Sequence, residues 1–233
     1  MGEEAKQKSA FVCSEGLYQF KVMPFGLVNA PATFERLMER VLSGLQWQTC
    51  LVYLDDIIIF SRGVAEHLRR LEDVLRRLEA AGLKLKPAKC QLMKTSVTYL
   101  DHVVSADRVA MDPEKIKAVE EWPTPGNLRE LRSFLGLCSY YRRFIEGFST
   151  LAKPLTKMTE KGKDFVWGQD QDAAWRELKK RLVTAPVLAY PDPKKPYVLD
   201  KDASGVGIGA VLSQEQDGKE RVIVYGSRTL MKE

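Results

Sequence analysis

The sequence predicts an α+β fold, because three kinds of segment follow one another along it. Short apolar runs punctuated by glycine and proline fill the region before Asp112, helical spacing dominates from Asp112 to Val183, and three strand-like runs follow Tyr197. An antiparallel sheet with packed helices, a helical middle and an incomplete second sheet satisfy all three observations.

The elements read as follows. Around Ser14-Glu15-Gly16, the stretches FVC and LYQFKV alternate apolar and polar residues, which predicts a hairpin. Pro24, Gly26 and Pro31 mark a loop, and Ala32 to Leu42 then places Phe34, Leu37, Met38 and Val41 on one helical stripe. Cys50 to Phe60 is two apolar runs broken by two adjacent carboxylates, read as strand, turn, strand. Ala65 to Ala81 sets Leu68, Leu71, Leu75 and Leu78 at helical intervals and stops at Gly82. Short strands are expected within Lys84 to Leu92 and Val97 to Met111. Asp112-Pro113-Glu114 supplies an N-cap and a first-turn proline. Helices are expected through Leu128 to Phe148 and Asp170 to Val183, and strands at Tyr197 to Leu199, Val206 to Leu212 and Arg221 to Tyr225.

Composition narrows the function classes. With 45% hydrophobic residues in 233, the chain can bury a core as one large or two small domains. The 36 Lys and Arg exceed the 31 Asp and Glu only slightly, so a polyanionic partner is permitted but not required. Cys13, Cys50, Cys90 and Cys138 lie far apart without a C-x-x-C, and only His67 and His102 are available to join them. This argues against a zinc site or a disulfide framework and for a reducing compartment. The charged N-terminus and the lack of any long apolar run argue against secretion and membrane insertion. Lys6 stands where a myristoylation motif needs Ser or Thr. Gly205 to Ala210 has the spacing of a dinucleotide fingerprint but continues as a strand instead of opening a helix, so a dinucleotide cofactor is rejected.

The chemistry concentrates at Asp55 and Asp56. Two carboxylates side by side on a tight turn repel unless a cation is shared, and Mg²⁺, which takes oxygen ligands and often keeps phosphate oxygens in its shell, suits them. The residues alone leave a second reading open, an acidic turn that is simply solvated.

Tyr53-Leu54-Asp55-Asp56 has the YxDD form of a reverse transcriptase palm. Met23-Pro24-Phe25-Gly26-Leu27 and Asn29-Ala30-Pro31-Ala32-Thr33-Phe34 match the MPFGL and NAP-x-TF motifs upstream of it. From about Phe11 the whole chain resembles the reverse transcriptase and ribonuclease H region of gypsy-type LTR retrotransposon polyproteins, truncated at both ends; Phe25 distinguishes it from the retroviral pattern. The similarity runs on through Gly82 to Cys90, Tyr99 to Ser105, Leu131 to Ile145 and Phe165-Val166-Trp167.

The resemblance implies a disordered segment over 1–10, a palm with partial fingers over 11–111, a helical thumb and connection over 112–164, and an incomplete ribonuclease-H-like domain over 165–233. It implies Asp55 and Asp56 as catalytic metal ligands, Phe25, Gly26, Asn29 and Pro31 as a nucleotide pocket, and Arg132, Arg142 and Arg143 as contacts to hybrid-duplex phosphates. Core packing for the aromatics and a solvated face for the arginines are the plainer alternatives.

Tyr197 to Ser204 is similar to the first strand of a ribonuclease H domain, which makes Asp202 its first metal-binding carboxylate; Lys201 replaces the usual threonine. At Asp101 the family has glycine in a hairpin that grips the primer, so a weakened grip is expected. The implied activity is nucleotidyl transfer from dNTPs on an RNA or DNA template, with a DNA primer, an RNA/DNA hybrid product and two Mg²⁺ per complete site, in an intracellular location. A third palm aspartate and further ribonuclease H acids are absent from the sequence, so inactivity in isolation is expected. The alternatives are a non-catalytic nucleic-acid-binding remnant, including a domesticated retroelement protein, and a product that never folds stably.

Overall fold

Two separate hydrophobic cores organise the chain, in a computed structural model that describes residues 1–205 and 207–230. They belong to two units, Met1–Met93 and Lys94–Glu233, and each is considered by itself.

In the first unit, residues expected to lack regular structure form α1 (Glu3–Lys8), with Lys6 paired to Glu3 and Lys8 to Glu4. These one-turn spacings support a short helix. The hairpin forms as β1 (Phe11–Cys13) and β2 (Gly16–Tyr18), with Cys13 opposite Gly16. Gly16 takes φ 138°, a conformation only glycine adopts easily. Strand β2 ends sooner than the alternation through Val22 predicts, and both strands are exposed throughout.

Helix α2 (Ala30–Val41) follows, then β3 (Cys50–Tyr53) and β4 (Asp56–Ile59), paired antiparallel from Cys50–Ile59 to Tyr53–Asp56. Helix α3 (Val64–Ala80) ends before Gly82 at φ 70°. Its buried residues are Val74 and Leu78, whereas Leu68 and Leu75 of the expected leucine stripe are exposed. The expected strand in Lys84–Leu92 is replaced by a single 3₁₀ turn at Pro87–Lys89, since Pro87 has no N–H to give to a ladder. Met38, Leu42, Cys50, Val74 and Leu78 form the core, flanked by Phe34, Val52, Ile57 and Ile59. Arg77 donates to the Ser43 carbonyl and ties α3 to the end of α2.

In the second unit, β5 (Ser96–Tyr99), β6 (His102–Ser105) and β7 (Arg108–Met111) form an antiparallel meander. Helix α4 (Pro113–Glu120) is capped by Asp112, whose Oδ1 accepts from the Glu114 N–H at 3.0 Å. Asn127 caps α5 (Leu128–Tyr140) in the same way, accepting from the Glu130 N–H at 3.0 Å. A 3₁₀ turn (Arg142–Phe144), α6 (Phe148–Met158) and α7 (Gln169–Val183) complete the helical part.

The chain then returns as β8 (Leu188–Ala189), which pairs with β7. The helices are thereby enclosed between two neighbouring strands, and Val109, Met111 and Leu188 share one core with Phe134, Tyr141, Phe144, Leu155, Trp175 and Leu178. The final sheet, in the order β11-β10-β9, comprises β9 (Val198–Ser204), β10 (Gly207–Gln216) and β11 (Lys219–Thr229). The expected start of its middle strand, Val206, lies outside the described residues. Gln214 is fully buried and spends its amide on Asp192 and Lys195, stapling the approach to β9. Among the described residues no helix is long and apolar enough to cross a membrane.

Two tests follow from the separate cores. Phe134→Ala is expected to cost about 3–5 kcal/mol in denaturant unfolding of the second unit, with probes in the first unit little changed. Burial raises the Cys50 thiol pKa and pushes that of Cys138 up to about 12, whereas Cys13 and Cys90 are exposed. A thiol reagent at mildly alkaline pH should label Cys13 and Cys90 in the native protein and the other two only on unfolding.

Candidate active site

The β3–β4 register leaves Leu54 and Asp55 as the two residues of the turn and puts Asp56 at the first position of β4. Leu54 takes φ 54°, a left-handed conformation that leucine adopts at a cost. Glu35 of α2 holds it there: its carboxylate accepts the Leu54 N–H. A hydrogen bond donated to a carboxylate is among the stronger kinds. Both aspartates are exposed, so the chain folds two carboxylates onto the tip of a hairpin and supports the tip from behind.

Phe25, Gly26, Asn29 and Pro31 lie in the loop leading to α2 and in its first turn, within the same unit. Phe25 is fully exposed, Gly26 takes φ 88°, Asn29 precedes the helix without capping it through its side chain, and Pro31 occupies the first turn. The loop is thus presented outward, with an aromatic ring unpacked against its own unit.

In the second unit Asp202 sits in β9, an exposed strand at the edge of its sheet, opposite Gly209. No side chain faces it across the ladder. Strand alternation puts Asp200 on the same face and Lys201 on the other, so the lysine points away from the carboxylate. Among the described residues no group of three or more His, Cys, Asp or Glu is placed to share a metal ion.

The arginines are engaged by their own fold. Arg132 donates to the Thr159 carbonyl at 3.3 Å. Arg142 donates to the Ser227 carbonyl and lies 5.4 Å over the Phe148 ring, and Arg143 lies 5.8 Å over the Phe144 ring. A guanidinium carries five N–H donors, so each retains donors for another partner. Sequence reasoning missed Glu35, which has no motif of its own, and it missed the hydroxyls of Tyr140 and Tyr141, which donate to the Leu100 and Asp101 carbonyls at 2.7 and 2.8 Å.

Known proteins are similar to this chain over both of its parts. Residues 1–104 match the family described as reverse transcriptase (RNA-dependent DNA polymerase), and residues 167–233 match the RNase H-like domain found in reverse transcriptase. The chain is 43% identical over 231 residues to the retrovirus-related Pol polyprotein from transposon 297 of Drosophila melanogaster, covering 99% of this chain and 21% of that polyprotein. It is 40% identical over 242 residues to the Pol polyprotein from transposon gypsy of the same organism, covering 99% and 23% respectively. The chain therefore spans between a fifth and a quarter of these relatives. Among solved structures, the foamy viral protease-reverse transcriptase dRH in complex with ds DNA superposes with a TM-score of 0.87 at 26% identity, over 99% of this chain and 40% of that one. The foamy viral protease-reverse transcriptase in complex with RNA/DNA hybrid gives 0.81 at 26% identity, over 99% and 31%.

The brace on the hairpin tip makes its own prediction. Glu35→Ala removes the acceptor of the Leu54 N–H and is expected to destabilise the first unit by about 1–3 kcal/mol. Glu35→Gln keeps an acceptor and should lose less, as read from denaturant midpoints.

Proposed function

We propose that this chain forms part of a retrotransposon RNA-directed DNA polymerase, on the ground that residues 1–104 match the reverse transcriptase family and residues 167–233 the RNase H-like domain found in reverse transcriptase. The observation that carries the reading is the pair Asp55 and Asp56 exposed at the tip of a two-residue hairpin turn in a Tyr-Leu-Asp-Asp sequence. The substrates are dNTPs, the partners an RNA template, a DNA primer and their hybrid, and the location intracellular. In this reading residues 11–111 serve as palm and partial fingers, 112–164 as thumb and connection, and 165–233 as the ribonuclease-H-like part.

The donor set at the tip has the right chemistry for Mg²⁺, hard carboxylate oxygens, but Asp55 and Asp56 alone fill only part of a coordination shell. They would hold the metal jointly with phosphate oxygens and a further carboxylate supplied by a longer parent or another chain. Divalent metal, when bound, supplies Lewis-acid stabilisation of the attacking 3′-oxygen and the leaving pyrophosphate. The chain's own contribution is positional. Glu35 fixes the turn, the turn fixes where two negative charges stand, and the exposed Phe25 with Gly26, Asn29 and Pro31 offers an aromatic face and a close-approach backbone to base and sugar. Asp202 is the corresponding first carboxylate of the ribonuclease H part, and the spare donors of Arg132, Arg142 and Arg143 contact duplex phosphates.

A second reading, a non-catalytic binder of nucleic acid, is favoured by one observation: no third acidic group joins either aspartate site among the described residues. Primer extension separates the two. On an RNA template with Mg²⁺, a longer polyprotein containing this chain should extend the primer, and Asp55→Asn or Asp56→Asn should abolish extension without weakening binding to primer–template. Extension that survives both substitutions would overturn the assignment. Binding without extension, by the longer polyprotein as by this chain, would leave the second reading.

A further inference from the structure

The turn between β5 and β6 is held more firmly than a two-residue hairpin turn requires. Leu100 and Asp101 both take left-handed conformations, φ 48° and 57°, the geometry that matches the twist of paired strands. Aspartate tolerates that region and leucine resists it. Two carbonyls of the turn are fastened from the helical side. The Leu100 carbonyl accepts from the Tyr140 hydroxyl at 2.7 Å and from His102 Nδ1 at 2.6 Å. The Asp101 carbonyl accepts from the Tyr141 hydroxyl at 2.8 Å and from the Asp112 N–H at 3.3 Å.

His102 is packed among the rings of Tyr140, Tyr141 and Phe144, with centroids 5.4, 5.4 and 5.7 Å away. Burial, followed by the nearby Asp101 charge, raises the Tyr141 hydroxyl well above its usual range, so it remains a proton donor. A backbone over-determined in this way persists where its shape is used.

The backbone is fixed, but the side chain it presents is not buried. The Asp101 carboxylate is 50% exposed and lies 3.3 Å from Nζ of Lys115, itself 40% exposed, in the first turn of α4. The fastened turn cannot move away, so the carboxylate stays beside the ammonium. Such an exposed pair is weak, because water screens both charges. A phosphate of nucleic acid can therefore displace it, because neutralising one charge of the polyanion releases a condensed counterion.

We propose that Lys115 is a ligand for a nucleic-acid phosphate and that Asp101 is a built-in competitor for it, held in place by Tyr140 and Tyr141. The inference rests on the reading of this chain as part of a polymerase that grips a primer–template duplex. Each binding event must first release Lys115 from Asp101, which lowers affinity without removing the contact.

The test uses the full chain and an RNA/DNA hybrid duplex, with affinity measured as a function of salt. Asp101→Asn removes the charge and keeps a residue that accepts the left-handed conformation, so the turn is preserved; a thermal transition matching that of the unmodified chain verifies this. At low salt Asp101→Asn should tighten binding by about threefold to tenfold, and the slope of log affinity against log salt should steepen by at most about 0.9, the value of one phosphate contact, because no freed carboxylate then takes up a cation as Lys115 turns to the phosphate. A merely structural role would leave the slope unchanged. In the Lys115→Gln background the same change should give neither the gain nor the steeper slope. An equal gain in that background means the carboxylate only repels DNA, and overturns the inference while leaving the polymerase reading intact. No effect of Asp101→Asn overturns it in the same way. Undetectable binding by the unmodified chain overturns the inference, and undetectable binding by the longer polyprotein as well overturns both.

Discussion

In an antiparallel strand pair the register decides which residues stand at the tip, and in the first unit the whole functional account depends on that choice. Tyr53 pairs with Asp56, so Leu54 and Asp55 turn the corner and two carboxylates come together in the open. A slip by one residue would draw Asp55 into the ladder as well and turn the apolar Val52 and Ile57 outward. The small core beneath, built on Met38, Cys50 and Val74, penalises that slip. Glu35 adds a direct restraint by taking the one N–H that the left-handed Leu54 turns toward α2. Packing and one charged acceptor thus hold like charges where solvation alone would spread them.

The same tripeptide, Tyr-Leu-Asp, builds the second such corner at 99–101, and the comparison is instructive. Both leucines take positive φ, but Asp101 does so as well whereas Asp55 does not. The first tip is braced through an N–H and the second through carbonyls. An acid brace on a tip of aspartates keeps the turn backbone fixed without covering the carboxylates. Hydroxyl donors on the other tip come from the helix α5 and from Tyr141 just beyond it, which ties the hairpin to the helical core.

Much of this was legible in the sequence, and the missing parts share a cause. Motifs with local signatures read correctly: the two carboxylates between apolar runs, the cap at Asp112, and the glycines at 16 and 82. Features made by residues distant in sequence did not. Glu35 lies 19 positions from the N–H it accepts, β8 is only two residues long and exists through its pairing with β7, and the Tyr140 and Tyr141 hydroxyls reach back 40 positions. The leucine stripe of α3 misled because helical periodicity marks an apolar face but does not say what covers it. The arginines were legible as cations, yet the carbonyls and rings that engage them appear only in the fold.

The central claim is that the tip carrying Asp55 and Asp56 holds divalent cation when nucleic acid and nucleotide are present. Paramagnetic broadening of backbone amide signals by Mn²⁺, recorded with a primer–template hybrid and a dNTP bound, tests it most directly. The account predicts selective broadening at Leu54 to Asp56 that disappears in Asp55→Asn. Broadening confined to other parts of the chain, with hybrid and dNTP demonstrably bound, would contradict it.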